Sequence, residues 1–376
     1  MTDNCASLYQ QLIAHEELIN FKLEFSPEQP GFEDAGFFSN VDNATKSAEL
    51  IVFQKMFFKL FLEAHKFFES CVLGDETVAD YEWNVYLMTI GYLVTTAEHK
   101  MIINLHEDSV LKIISEKQNP AQFLNRELLI IGRLLTCTRN SINKSSSLWI
   151  WYRKLSILIE NSKSLDRQDL LNNIITTVEN SANLHICNYY CWTSLRWFFD
   201  NSFGSKEKYA IYQMTVDFCF AHPNDCSSWS ALSYIICQIG SKLDYNVQNY
   251  MSIYQNYVNN NIIERDSKHS LDNTTDFTID IPVFINKITR YIDSLSIKDW
   301  PVFLCLSRVA SGVVDGSTPA YLKLWSQQVI EFEEEHGVIE FRNRNPIVPS
   351  GIESNLMLSN SIMHCGWKKR LIESMP

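Results

Sequence analysis

Side chains that commonly carry chemistry are thinly spread in this sequence, and the one stretch where several converge is residues 185 to 199, which ends in "NYYCWTSLRWFF". His185, Cys187 and Cys191 come nearest to a metal cluster, but their spacing matches no common zinc module, and the chain's ten cysteines include no CxxC pair. Free cysteine is then read as a small core hydrophobe. His15 is followed four residues on by Ile19 and His106 by Val110, so no H-E-x-x-H exists. No G-x-G-x-x-G, P-loop or G-x-S-x-G occurs either. The sequence therefore names no catalytic residue and no metal ligand.

What does recur is a tryptophan behind a polar, turn-prone lead. "NKSSSLWIWYRKLSIL" carries Trp149, "NYYCWTSLRWFF" carries Trp192 and "HPNDCSSWSALSYII" carries Trp229, at spacings of 43 and 37 residues. A degenerate copy places Leu111 of "NLHEDSVLKII" 38 residues before Trp149, and "CGWKKRLIESM" restores a W-x-x-R pattern with Trp367 and Arg370. Such periods suit two-helix repeats, in which each tryptophan packs as repeat core between neighbours. Asn188 and Tyr189 fall in the turn before a helix, where side chains and free N–H groups can face a ligand or partner. Arg153 and Arg196 follow their tryptophans, placed for a salt bridge within the array or for a partner's carboxylates.

The elements that must position these residues are helices. Apolar residues recur with helical period through fifteen stretches from 5–24 to 356–373, and Gly and Pro number only 12 and 10 in 376 residues. The expected class is all-α. Residues 26–46, 265–282 and 343–355 read as loops, the last two as insertions in a helical array over 101–376, with 1–100 as an N-terminal helical extension suited to substrate binding. Lys55, Lys59, Glu63 and Lys66 make one polar stripe on an apolar helix, which speaks against a membrane span there. With 46% hydrophobic residues the chain is globular, and a net charge of −12 argues against binding nucleic acid or an anionic membrane through general phosphate attraction. The acidic N-terminus lacks the basic start of a secretory signal, so a reducing, cytoplasmic setting is expected.

The repeat resembles that of protein prenyltransferase alpha subunits, approximately N-P-x-N-Y-x-x-W-x-x-R-x-x-x-L. Asn188, Tyr189 and Trp192 match one copy; Trp149 with Arg153 matches another; Pro223 and Trp229 match a third, with His222 for asparagine and Ser233 for arginine. Degeneracy makes it similar to the family's divergent branch. That resemblance implies a right-handed superhelical crescent of antiparallel helical hairpins, an α-α solenoid. It further implies an alpha-type subunit of a protein geranylgeranyltransferase, paired with a beta subunit of the Rab geranylgeranyltransferase type. Zinc and geranylgeranyl diphosphate would sit on that partner, with none in this chain, and the protein substrate would be a farnesylated Ykt-type SNARE. Asn188, Tyr189, Arg153 and Arg196 would face the partner or the diphosphate. Cys187 stands where the family has a lysine, which shifts the expectation from diphosphate contact to substrate recruitment. The alternative is a helical-repeat scaffold or adaptor without a role in prenylation.

Overall fold

A computed structural model describes residues 2–374 apart from 15, 17, 19, 33–34, 117–119, 163, 202–203, 239–277 and 312–319. Most of the expected loop 265–282 and the expected helix at 245–263 lie outside the described residues. Described residues up to 201 form one unit and those from 204 onward a second.

The first unit contains α1 (Asp3–Ile13), a sheet of β1 (Asn20–Ser26), β2 (Phe37–Asp42) and β3 (Ser47–Phe53), then α2 (Gln54–Phe67) extended by a π-turn, α3 (Tyr81–Thr95), α4 (Lys100–Glu116), α5 (Ala121–Leu135), α6 (Asn140–Asn143), α7 (Ser146–Ser162), α8 (Arg167–Leu184) and α9 (Tyr189–Asn201). The predominantly helical class holds; the sheet is the departure from it. Strand order is β1-β3-β2, with β1 parallel and β2 antiparallel to β3. In "SAELIVF" the alternate residues Ala48, Leu50 and Val52 are buried, as period two requires. The Asp42 carboxylate closes the β2–β3 turn by accepting from the Ala44 N–H at 2.9 Å and the Thr45 hydroxyl at 2.8 Å. β3 runs into α2 without Gly or Pro between them, so its apolar residues merge with a helical pattern and the strand is hidden. Glu63 also departs from the solvated stripe: its carboxylate turns inward and accepts from the Asn4 and Cys5 N–H groups, capping α1.

The second unit contains α10 (Ser205–Ala221), α11 (Cys226–Gln238), α12 (Ile281–Ser294), α13 (Trp300–Ser311), α14 (Ala320–His336), a two-residue hairpin of β4 (Phe341–Arg342) and β5 (Asn345–Pro346), and α15 (Leu356–Ser374). Its core gathers Trp229, Ile288, Phe303, Trp325 and Trp367. Asp280 caps α12 by accepting the Val283 N–H at 2.9 Å, with Pro282 in the first turn. Gly366 lets α15 pack against the hairpin, because a Cβ there would meet the Pro346 ring at 2.5 Å.

The tryptophan spacing has a local physical basis. Ser145, Asn188 and Asp225 each stand four residues before a tryptophan at a helix start, and their carbonyls accept the N–H groups of Trp149, Trp192 and Trp229, each at 3.2 Å. Each cap side chain accepts a first-turn N–H as well: Leu148 to Ser145, Cys191 to Asn188, and Ser227 and Ser228 to Asp225. All three indoles are buried.

Candidate functional site: an amide-lined groove

The most acid–base-rich cluster of the first unit lies in its core. The Glu127 carboxylate on α5 accepts from the Tyr86 hydroxyl of α3 at 2.6 Å, His106 Nε2 of α4 at 2.7 Å and Trp151 Nε1 of α7 at 3.0 Å. The Thr89 hydroxyl donates to the Tyr86 carbonyl at 2.7 Å and lies 2.8 Å from His106 Nδ1. The His106 ring is thus held at both nitrogens, Nε2 by Glu127 and Nδ1 by Thr89. Burial alone would raise the Glu127 carboxyl; the His106 charge and the hydrogen bonds from His106, Tyr86 and Trp151 outweigh it and hold the pKa below the ordinary value. A hydroxyl, an imidazole and a carboxylate in sequence suggest a nucleophile relay, yet every member is buried, so no substrate reaches it. The cluster pins four helices.

Accessible polar surface collects instead along α8. Its cap is Asp166, accepting the Gln168 N–H at 3.1 Å. Asp169, Asn172, Asn173, Thr176, Asn180 and Asn183 recur at helical spacing and share one face. Opposite them lie Glu16, Leu18 and the Asn20–Lys22 end of β1, and α5 supplies a floor of Leu129, Gly132, Arg133 and Thr136. Two cavities of about 380 and 570 Å³ share Phe21, Thr136 and Asn180, making one continuous groove that reaches Asn40, Asp42 and Glu49 on the sheet. Arg133 is committed to the fold: Nη1 donates to the Ala14 carbonyl at 2.7 Å and to the Leu12 carbonyl, and the guanidinium stacks 3.8 Å from the Phe21 ring. Asn173 accepts from the Tyr152 hydroxyl and Asn172 from Gln168. The side-chain amides of Asn20, Asn40, Asn180 and Asn183 have no hydrogen-bond partner among the described residues.

The sequence-selected residues sit elsewhere. Asn188 is buried, and its amide donates to Asn143 Oδ1 at 2.7 Å and to the Ser181 hydroxyl at 3.1 Å, tying α6, α8 and α9 together. Tyr189 is 59% exposed beside Tyr190. Arg153 and Arg196 are half-buried, Arg153 lying 5.8 Å from the Trp197 ring. Trp149, Trp192, Trp229 and Trp367 are buried; the Trp149, Trp229 and Trp367 indole N–H groups donate to the carbonyls of Asn143, His222 and Lys298. His185 contacts the Cys137 carbonyl and Cys191 that of Val178. Among the described residues no group of three or more His, Cys, Asp or Glu is placed to hold a metal ion.

Three family models cover nearly the whole sequence: the ECM9 N-terminal domain at residues 1–136, the middle domain at 148–257 and the C-terminal domain at 281–376. Protein ECM9 of Saccharomyces cerevisiae is 33% identical over 371 residues, 97% of this chain and 94% of that protein.

The chain belongs to the ECM9 family.

This corrects the resemblance to prenyltransferase alpha subunits, since the ECM9 models match with no prenyltransferase alpha repeat beside them. The geranylgeranyltransferase role, the Rab-type beta subunit as partner and the Ykt-type SNARE as substrate are corrected with it. The physical reason is visible in the caps. A polar cap four residues before a buried tryptophan reproduces an N-x-x-x-W pattern wherever a helix starts under neighbouring helices, so the motif reports packing. In this ECM9-family chain Asn188 is spent inside that packing. Sequence reasoning missed Glu127 and the α8 stripe. A signal for Glu127 existed: it lies on a helix face with Phe123, Leu124, Leu128 and Ile131, where a carboxylate needs a partner.

Proposed function

We propose that the N-terminal unit is a polypeptide-binding module that holds an extended, basic segment of a partner protein in the α8 groove, which agrees with the adaptor alternative. The observation that carries this is the set of side-chain amides at Asn20, Asn40, Asn180 and Asn183 without partners among the described residues. A primary amide donates and accepts at once, which matches the N–H and C=O groups of a main chain. The run from Asp169 to Asn183 spans about 21 Å of helix, room for about six residues of extended chain. Glu16, Asp42, Glu49 and Asp169 line the groove against Lys22 and Arg133; Lys22 already pairs with Glu24 and Glu49. The remaining field is negative, so a basic segment is favoured. β1 is an edge strand, and its end at the groove adds main-chain groups to the same surface.

Further support comes from how α8 is presented. Lys112 near the end of α4 pairs with Glu82 at the start of α3 at 2.8 Å, so these helices run antiparallel; this supports reading the unit as helical hairpins that carry α8 on one side. The ten cysteines form no disulfide among the described residues, which fits a reducing, cytoplasmic compartment. No described helix is long and apolar enough to cross a membrane.

The test is selection from a peptide display library by the full chain and by a Thr176→Trp/Asn180→Trp variant that fills the groove. Wild type should enrich extended basic peptides and the variant should not. Enrichment of the same peptides by both proteins, or none by wild type, would overturn the reading.

A further inference from the structure

The second unit carries a cationic feature that the groove does not use. The β4–β5 hairpin turns through Asn343 and Arg344, both in the left-handed region at φ 51° and 65°. Glycine is preferred where φ is positive, and an arginine there adds strain. The Arg344 carbonyl accepts from Arg370 Nη1 of α15 at 2.8 Å, which holds two arginine residues together. The Arg370 guanidinium lies 4.0 Å over Trp300 and 5.4 Å from Trp367, so indole faces fix it where a carboxylate would ordinarily do so. Two acids of this unit are committed to the lysines before Arg370 on α15, Glu333 to Lys369 and Asp293 to Lys368, both at 2.7 Å. Among the described residues no carboxylate pairs with Arg342, Arg344 or Arg370. Burial, and then the charge of Arg344, pull the Arg370 pKa below its ordinary value.

We propose that Arg344 and Arg370 form a binding site for a phosphate monoester carried on a phosphorylated side chain of a partner protein. Guanidinium forks match phosphate oxygens two at a time, and a dianion relieves the repulsion between arginines that the hairpin and the indoles hold together. The net charge of −12 opposes approach to an anionic bilayer but leaves a local site open to a single phosphorylated residue. The site shares no residue with the α8 groove, so either stands without the other.

The experiment is a fluorescence-polarisation titration of the full chain with a labelled Gly/Ser peptide bearing one phosphoserine, against its unphosphorylated twin and against phosphatidylserine vesicles. Wild type should bind the phosphopeptide at least tenfold more tightly than the twin, and more weakly as salt rises. Arg344→Gly removes the charge while relieving the left-handed backbone, so it should keep or raise the melting temperature yet abolish the tenfold preference; Arg370→Gln should also abolish it. Equal binding of the two peptides, an unchanged preference in Arg344→Gly, or binding to vesicles without binding to phosphopeptide would each overturn the proposal.

Discussion

Replacing Glu127 separates loss of charge from loss of hydrogen bonding in the buried cluster. In Glu127→Ala the His106 ring, the Tyr86 hydroxyl and the Trp151 indole all lose their acceptor in a site that water does not reach. Removing one partner of a buried pair costs about 3–5 kcal/mol, a large share of the roughly 5–15 kcal/mol that holds a domain folded. Glu127→Gln keeps the shape and one carbonyl acceptor. The cost then falls to about 1–3 kcal/mol, the range for one buried group left unsatisfied. The pH dependence has a definite sign. The folded Glu127 pKa lies below the ordinary glutamate value, so the carboxylate's stabilisation is fully present above the unfolded pKa and is lost as pH falls through the folded one. Urea titrations at pH 7 and in steps below 5, with hydrogen exchange of α5 reporting the first unit, should show Ala well below Gln at pH 7. Glu127→Gln should also show a shallower acid-induced loss than wild type. Equal midpoints for Ala and wild type, or an undiminished acid slope in Gln, would refute the reasoning.

Asn188→Ala should destabilise the first unit by about 1–2 kcal/mol through loss of the α9 cap, with Asn143 and Ser181 losing a donor, whereas exposed Tyr189→Ala should stay within about 0.5 kcal/mol; thermal melts distinguish them. Trp229→Ala opens a cavity in the second unit's core and should cost about 3–5 kcal/mol, read as lost exchange protection in α11 and α13. Glu63→Ala uncaps α1 and should cost about 1 kcal/mol, measured as faster exchange of the Asn4 and Cys5 amides.

Helix periodicity made most of the described architecture legible, because amphipathic stripes survive in sequence whatever they pack against. The sheet was hidden because β2 and β3 are short, turn-rich between Asp42 and Ser47, and continuous with α2. The tryptophan register was legible, but its meaning was not: cap, turn and indole recur for packing reasons alone. His106 and Glu127 interrupt apolar faces on α4 and α5, a local sign of buried pairing, yet only the fold shows that they meet. The α8 asparagines recur at helical spacing in the sequence, but nothing local says that β1 and α5 will wall them into a groove.

Site-specific photo-crosslinking tests the groove most directly. With a photoreactive residue at Thr176, facing the groove, or at Glu179, on the exposed side of α8, a peptide selected by the wild-type chain should label through 176 and not through 179, at consecutive residues of an extended basic stretch. Equal labelling from both positions, or labelling confined to 179, would contradict the account.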